Sequence, residues 1–169
     1  MDVRTAACAC GKVRLRAVGA PIVNSVCHCD DCQAGAHQIE ALPNAVRLLD
    51  AYAGTPFAVY RNDRVSCVEG AELLQGFKLK DDAPTTRYVA TCCNSGMYLK
   101  FGPGWWTSVY RGRFIDALPP LVMRFQTKFS PAGVDLPTDL PSYKGYPFGF
   151  IARLMRARIA MMFARPSAQ

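Results

Sequence analysis

What the sequence lacks narrows its reading first. No apolar stretch reaches the ~18 to 20 residues of a membrane span, because the most hydrophobic window, residues 148–163, is interrupted by Arg153, Arg156 and Arg158. The first residues run Met1, Asp2, Val3, Arg4, Thr5, Ala6, Ala7, with an acid at position 2 and no apolar core of the kind a secretory signal carries. A cytoplasmic, reducing environment is therefore expected. Histidine is scarce, with two in 169 residues, and no side chain stands out as a general acid or base. There is no internal repeat. Acids are absent from residue 144 onward, where Lys144, Arg153, Arg156, Arg158 and Arg165 carry five of the seven net positive charges. The basic excess thus belongs to one C-terminal element, whereas a nucleic-acid footprint is a broad basic surface. The aromatic residues of that element lie on its apolar side and are needed for burial, so nucleic acid is not an expected partner.

What is present suffices for one domain with a real core: half the residues are apolar and the mean hydropathy is +0.04. Eight cysteines are too sparse for a disulfide miniprotein, yet five of them fall between positions 8 and 32. In a reducing compartment such clustering indicates metal ligands or redox groups in preference to disulfides.

Residues 13–18 alternate, with Val13, Leu15 and Ala17 on one face and Arg14 and Arg16 on the other, the period of a half-buried strand. Strand-like runs also occupy residues 57–60, 65–68, 73–79, 87–91, 97–101 and 107–110, separated by turn formers such as Gly54-Thr55-Pro56 and Gly102-Pro103-Gly104. A mostly antiparallel β domain follows, with a short helix over residues 31–42. We divide the chain into a β domain over residues 1–117, a proline-punctuated wrapping segment over 118–147 and a basic amphipathic helix with its tail over 148–169. In that helix Phe148, Ile151, Ala152, Met155, Ile159, Met162 and Phe163 form an apolar stripe at helical period, with Phe150, Leu154 and Met161 on the other side and arginines at the flanks. The stripe has three readings: a lid on the core, a homodimer contact, or a contact with an anionic membrane surface through residues 148–163.

Three cysteine motifs carry the chemistry: Cys8-Ala9-Cys10-Gly11, Cys27-His28-Cys29-Asp30-Asp31-Cys32 and Cys92-Cys93-Asn94-Ser95. The central motif puts three thiols in one tight turn, where a zinc ion can gather them at Zn–S distances of about 2.3 Å. Three soft ligands leave one tetrahedral position for a fourth residue, a water or a substrate thiolate, which separates open sites from closed structural ones. Gly11 after Cys10 suits a knuckle folded around a metal, since glycine takes positive φ cheaply. Cys67 has no partner motif and reads as a core residue. His28 and His37 read as supporting or surface groups, Asp30 and Asp31 as solvated loop acids, and Trp105, Trp106 and Tyr110 as packing groups. Lys12, Arg14 and Arg87 are candidate anchors for a ligand carboxylate.

These motifs, in this order and at these separations, resemble the glutathione-dependent formaldehyde-activating family, also named for centromere protein V, over residues 6–116. The run from Leu49 to Thr55 and the late Cys92-Cys93 pair look most like an uncharacterised branch of it. The resemblance implies a zinc-pinned β-tent of small antiparallel sheets. It also implies one or two zinc ions: Cys8 and Cys10 would join the late pair in a closed structural site, and Cys27, Cys29 and Cys32 would hold a second, open one. Glutathione, or another small thiol, and an aldehyde are the implied ligands, and carbon–sulfur bond making or breaking the implied activity.

The chain departs from the family where a final Cys-x-x-Cys would end, because Ser95 stands there and a hydroxyl is a poor zinc ligand. Either Cys93 substitutes or that site is incomplete. Neighbouring residues in a strand point to opposite faces, so Cys92 and Cys93 share one metal only if the chain turns there. Otherwise they serve different sites, one completing the Cys8/Cys10 group and the other closing the central triplet. Two functions remain open at this level: a zinc-dependent carbon–sulfur lyase, and a zinc-stabilised scaffold acting through its C-terminal helix.

Overall fold

The alternation of Arg14, Leu15, Arg16 and Ala17 becomes the middle strand of a small antiparallel sheet in the computed structural model, which describes residues 2–163. That sheet orders β1 (Val3–Ala7), β2 (Arg14–Val18) and β5 (Val65–Glu69) as β1-β2-β5. Leu15 and Ala17 are buried and Arg14 and Arg16 are exposed, as the two-residue period requires.

The larger sheet has seven strands: β3 (Val23–Cys27), β4 (Thr55–Arg61), β6 (Leu74–Phe77), β7 (Thr85–Ala90), β8 (Ser95–Phe101), β9 (Trp106–Tyr110) and β10 (Arg124–Phe125). Their order is β10-β3-β4-β9-β8-β7-β6, all antiparallel except the pairing of β10 with β3. The fold is mainly β, as expected, and the proline-rich segment does more than wrap: it supplies β10 and so completes the edge beside β3. Three strands escape the periodicity reading. β1 is short and buries only Ala6, β10 is two residues long, and every residue of β3 is buried, so no alternation marks them.

The two faces of the large sheet are covered differently. Ala58 and Tyr60 of β4 pack with Ala17 of the small sheet, while Phe57 and Val59 of the same strand enter the main core with Ile39, Phe125, Phe150 and Leu154. This second face is closed by α1 (Asp30–Glu40) and α2 (Phe148–Met162). Helix α1 starts one residue and ends two residues earlier than the spacing suggests.

Helix α2 is oriented opposite to its most regular apolar stripe. Phe150, Leu154 and Ala157 are buried, whereas Phe148, Ile151, Met155, Ile159, Met162 and Phe163 are exposed. Phe150 packs its ring 4.7 Å from that of Phe125, and the indole N–H of Trp105 donates to the Leu154 carbonyl at 2.8 Å. The lid reading thus holds for the helix but not for the stripe, whose residues face away from the core. Residues 164–169, the tail of the third segment with Arg165, lie outside the described residues.

Candidate metal centre

The fold gathers seven cysteines into two groups. Cys8, Cys10, Cys92 and Cys93 form one, and Cys27, Cys29 and Cys32 the other, with the sulfurs in each group within 4.8 Å of one another. Cys67 joins neither; its thiol donates to the Glu69 carbonyl at 3.2 Å and it packs against the core below the small sheet.

The four-cysteine group ties two hairpins together. Cys8 and Cys10 stand in the β1–β2 turn, where Gly11 takes φ +77° and its N–H donates to the Cys8 carbonyl at 3.0 Å. Cys92 and Cys93 stand in the β7–β8 turn, where the Cys93 N–H donates to the Ala90 carbonyl at 3.3 Å and Asn94 adopts φ +53°. That reversal brings adjacent side chains to one side. Sulfur separations are 3.6 Å for Cys8–Cys10, 3.8 Å for Cys8–Cys92, 3.3 Å for Cys10–Cys92 and 3.9 Å for Cys92–Cys93. A tetrahedron with metal–sulfur bonds of about 2.3 Å has edges of about 3.8 Å, so this donor set fits one divalent ion.

Ser95 has a different task. Its buried hydroxyl accepts the Ala9 N–H at 3.0 Å, lies 3.2 Å from the Cys93 sulfur and 3.4 Å from the guanidinium of Arg113. It braces the turn behind the sulfurs. Burial pushes the Cys92 thiol up to about 12; Cys93 is also penalised by burial, but hydrogen bonding from Ser95 and Cys10 outweighs this and brings it down to about 6.

The three-cysteine group lies where β3 runs into α1. Cys27 ends the strand, Cys29 caps the helix and Cys32 sits in its first turn. The Cys32 N–H donates to the Cys29 sulfur at 3.3 Å, so an anion on Cys29 faces a helix N-terminus. The Cys27 thiol points to the same sulfur at 3.3 Å. Thiol hydrogen bonds from Cys27 and then Cys32 hold Cys29 far below the usual thiol range, and those same bonds, with burial, hold Cys27 and Cys32 above it. One thiolate is thus shared by three sulfurs.

Arg87 stands beside this group. It is 2% exposed, donates one N–H to the Asp31 carbonyl at 2.6 Å, leaves its Nε without a hydrogen-bond partner, and forms no ion pair with a carboxylate among the described residues. Its charge favours the Cys29 thiolate. Arg113 plays the corresponding part at the other group, close enough to Cys93 and Cys8 to feel their charge. Of the three basic residues singled out by the sequence, only Arg87 faces the three-cysteine group; Arg14 pairs with Glu69 at 3.3 Å and donates to the Gly11 carbonyl, near the four-cysteine turn.

A cavity of about 420 Å³ opens onto Cys27, Cys29, Cys32 and Arg87. Its walls are mostly apolar, from Phe57, Leu99, Trp106, Phe125, Phe150 and Leu154, with Tyr146 and Asp31 as further polar members. Tyr146 is 56% exposed as a whole, yet desolvation of its hydroxyl and then the nearby Cys27, Cys29 and Cys32 sulfurs raise the phenol to about 12, which keeps it protonated near neutral pH. His28 is wholly buried and turned toward Ser130, 3.3 Å from its Nδ1, so it supports the turn and does not line the cavity. His37 is exposed on α1. Sequence reasoning overlooked Arg113, Tyr146 and the α2 wall, since each reaches its group through contacts distant in the chain.

The family model for glutathione-dependent formaldehyde-activating enzyme matches residues 3–110, well over half of the chain. The protein belongs to that family. All seven clustered cysteines fall inside the matched residues. No functionally curated protein matches the chain. A solved structure of a Rhodobacter sphaeroides protein is similar at 15% identity and a TM-score of 0.47, covering 68% of this chain and 91% of its own.

Proposed function

We propose that the protein is a two-zinc member of the family, with a closed structural ion on Cys8, Cys10, Cys92 and Cys93 and an open ion on Cys27, Cys29 and Cys32, where it acts as a carbon–sulfur lyase on a glutathione–aldehyde adduct. The observation that carries this reading is the cavity: it is lined by all three cysteines of the incomplete set and by none of the four of the complete one. A zinc ion bound there supplies a vacant, Lewis-acidic position that favours thiolate over thiol at neutral pH.

The rest falls to the chain's own side chains. Three thiolates around a divalent ion leave one net negative charge, which the buried Arg87 offsets without a carboxylate of its own. Arg87 also lines the cavity, where its positive charge suits a ligand carboxylate, while its Nε is buried against Gly35 of α1. The apolar walls hold a thiol and an aldehyde side by side, which supplies proximity. In the addition direction the thiol gives its S–H proton to solvent, the carbon–sulfur bond forms as the carbonyl π bond breaks, and the carbonyl oxygen takes a proton from the Tyr146 hydroxyl, which solvent then reprotonates. The reverse step returns that proton and releases thiol and aldehyde.

The test is the rate of exchange between free formaldehyde and its glutathione adduct, followed by NMR with zinc-replete protein. Acceleration that disappears in Cys29→Ser supports the lyase. Absence of acceleration from protein carrying two zinc ions per chain overturns it and leaves the second reading, in which both ions are structural. The observation in favour of that alternative is that the four-cysteine group joins the small sheet to the large one through two hairpin turns, as a purely structural site would.

A further inference from the structure

Helix α2 uses one apolar face to cover the cavity and leaves another uncovered. At 100° per residue the outward residues Phe148, Ile151, Ala152, Met155, Ile159, Met162 and Phe163 span about 120° of the circumference. They are not incidental surface: Phe148 is 87% exposed, Met162 72% and Phe163 83%. An exposed apolar stripe of this length on one helix marks a surface meant to be covered.

The charges bordering the stripe say by what. Arg156 lies about 20° beyond one edge and Arg158 about 20° beyond the other. Neither forms an ion pair among the described residues, and Arg158 instead lies over the Trp105 ring at 5.5 Å. No acid occurs anywhere from residue 144 to the C-terminus. Two copies meeting through this face would set arginine rows against each other with no acid on the helix to pair them. A lipid surface with anionic headgroups accepts both parts at once: its acyl boundary takes the apolar chains, and the arginine stems extend to the phosphates on either side.

We infer that α2 docks in the plane of an anionic lipid surface through this stripe. No helix among the described residues is long and apolar enough to cross a membrane, and α2 at 15 residues lies on the surface instead. Ile151 belongs to both faces, being exposed and also part of the cavity wall, so docking brings the cavity wall to the lipid boundary. The inference rests on the helix alone and stands whether or not the cavity is catalytic.

Co-sedimentation of the full chain with vesicles tests it. Phosphatidylcholine vesicles containing about one-third phosphatidylserine should pellet the protein, pure phosphatidylcholine vesicles should not, and added salt should weaken the binding. The double variant Met155→Gln, Ile159→Gln should reduce partitioning by about tenfold or more, and Arg156→Gln by about fivefold. These positions are exposed, so an unchanged circular dichroism spectrum and unchanged zinc content separate lost docking from lost folding. Failure to pellet with the anionic vesicles overturns the inference. So does a dimer detected by light scattering that the double variant dissociates, because the stripe is then a contact between copies.

Discussion

Arg87 lies across Gly35 so closely that a methyl group added at Gly35 would stand 2.0 Å from the guanidinium Nε. A glycine in the middle of α1 is therefore the condition for bringing a positive charge under the first turn of that helix, next to Cys29. The local cost in helix propensity is about 1 kcal/mol. What it gains is a guanidinium held in place beside the sulfurs.

Gly35→Ala should destabilise the protein by about 1–3 kcal/mol through overcrowding, seen as a fall in Tm of about 3–10 °C. In an Arg87→Ala background the same substitution should cost much less, because the clash is gone. A thermal double-mutant cycle measures this coupling. Equal penalties in both backgrounds refute the contact.

Cys93 and Ser95 should behave in opposite ways. Cys93→Ser removes a sulfur from the four-cysteine group and should lower the zinc content measured by elemental analysis, toward one ion per chain. Ser95→Ala should leave zinc in place and cost about 1–3 kcal/mol, because the Ala9 N–H loses its acceptor. The reverse pattern would return the ligand role to position 95.

Metal uptake at Cys27, Cys29 and Cys32 should release about two protons near neutral pH. Cys29 is held low and is already a thiolate, whereas Cys27 and Cys32 are held high and must each lose a proton to bind. The sign follows directly: protons compete with metal for two sulfurs, so affinity strengthens as pH rises through the neutral range and weakens as it falls, by up to about hundredfold per pH unit. Competition with a chromophoric chelator at several pH values, in a Cys92→Ser, Cys93→Ser background, reads the slope. A slope near zero would mean that all three sulfurs are already ionised.

Tyr146→Phe should lower the rate of adduct exchange by about tenfold or more while leaving zinc content and Tm close to those of the parent. The ring and its stacking on Phe125 and Phe150 survive this change, and only the O–H is lost. An unaltered rate removes Tyr146 from the reaction and leaves solvent as the proton source.

Features that depend on neighbours in the chain were legible in the sequence, and features that depend on distant contacts were not. Cys27, Cys29 and Cys32 lie within one turn, so their spacing alone announces a common ligand. The alternation of Leu15 and Ala17 with two arginines identifies β2 because one side of that strand meets solvent. Strand β3 is buried on both sides and leaves no such mark. Whether Cys92 and Cys93 diverge or converge turns on the backbone reversal ending at Asn94, and the strand-period rule does not reach across a turn. Helix α2 shows the limit of periodicity most clearly: apolar residues surround most of it, so the period identifies a helix without saying which side the core takes. Phe125 and Trp105 decide that, and both are remote in sequence from the residues they hold.

The cavity is assembled from two stretches of the chain. Its sulfurs and Arg87 lie within the family-matched residues 3–110, while Phe125, Tyr146, Phe150, Ile151 and Leu154 come from the chain that follows. The proposed reaction therefore draws on both stretches: sulfurs, Arg87 and the walls from Phe57, Leu99 and Trp106 on one side, the Tyr146 hydroxyl and the remaining walls on the other. On the proposed function, substitutions at Phe125, Phe150, Ile151 or Leu154 would reshape one wall of the cavity without touching any of the seven clustered cysteines, so the ligand admitted can change while the sulfur set stays as it is.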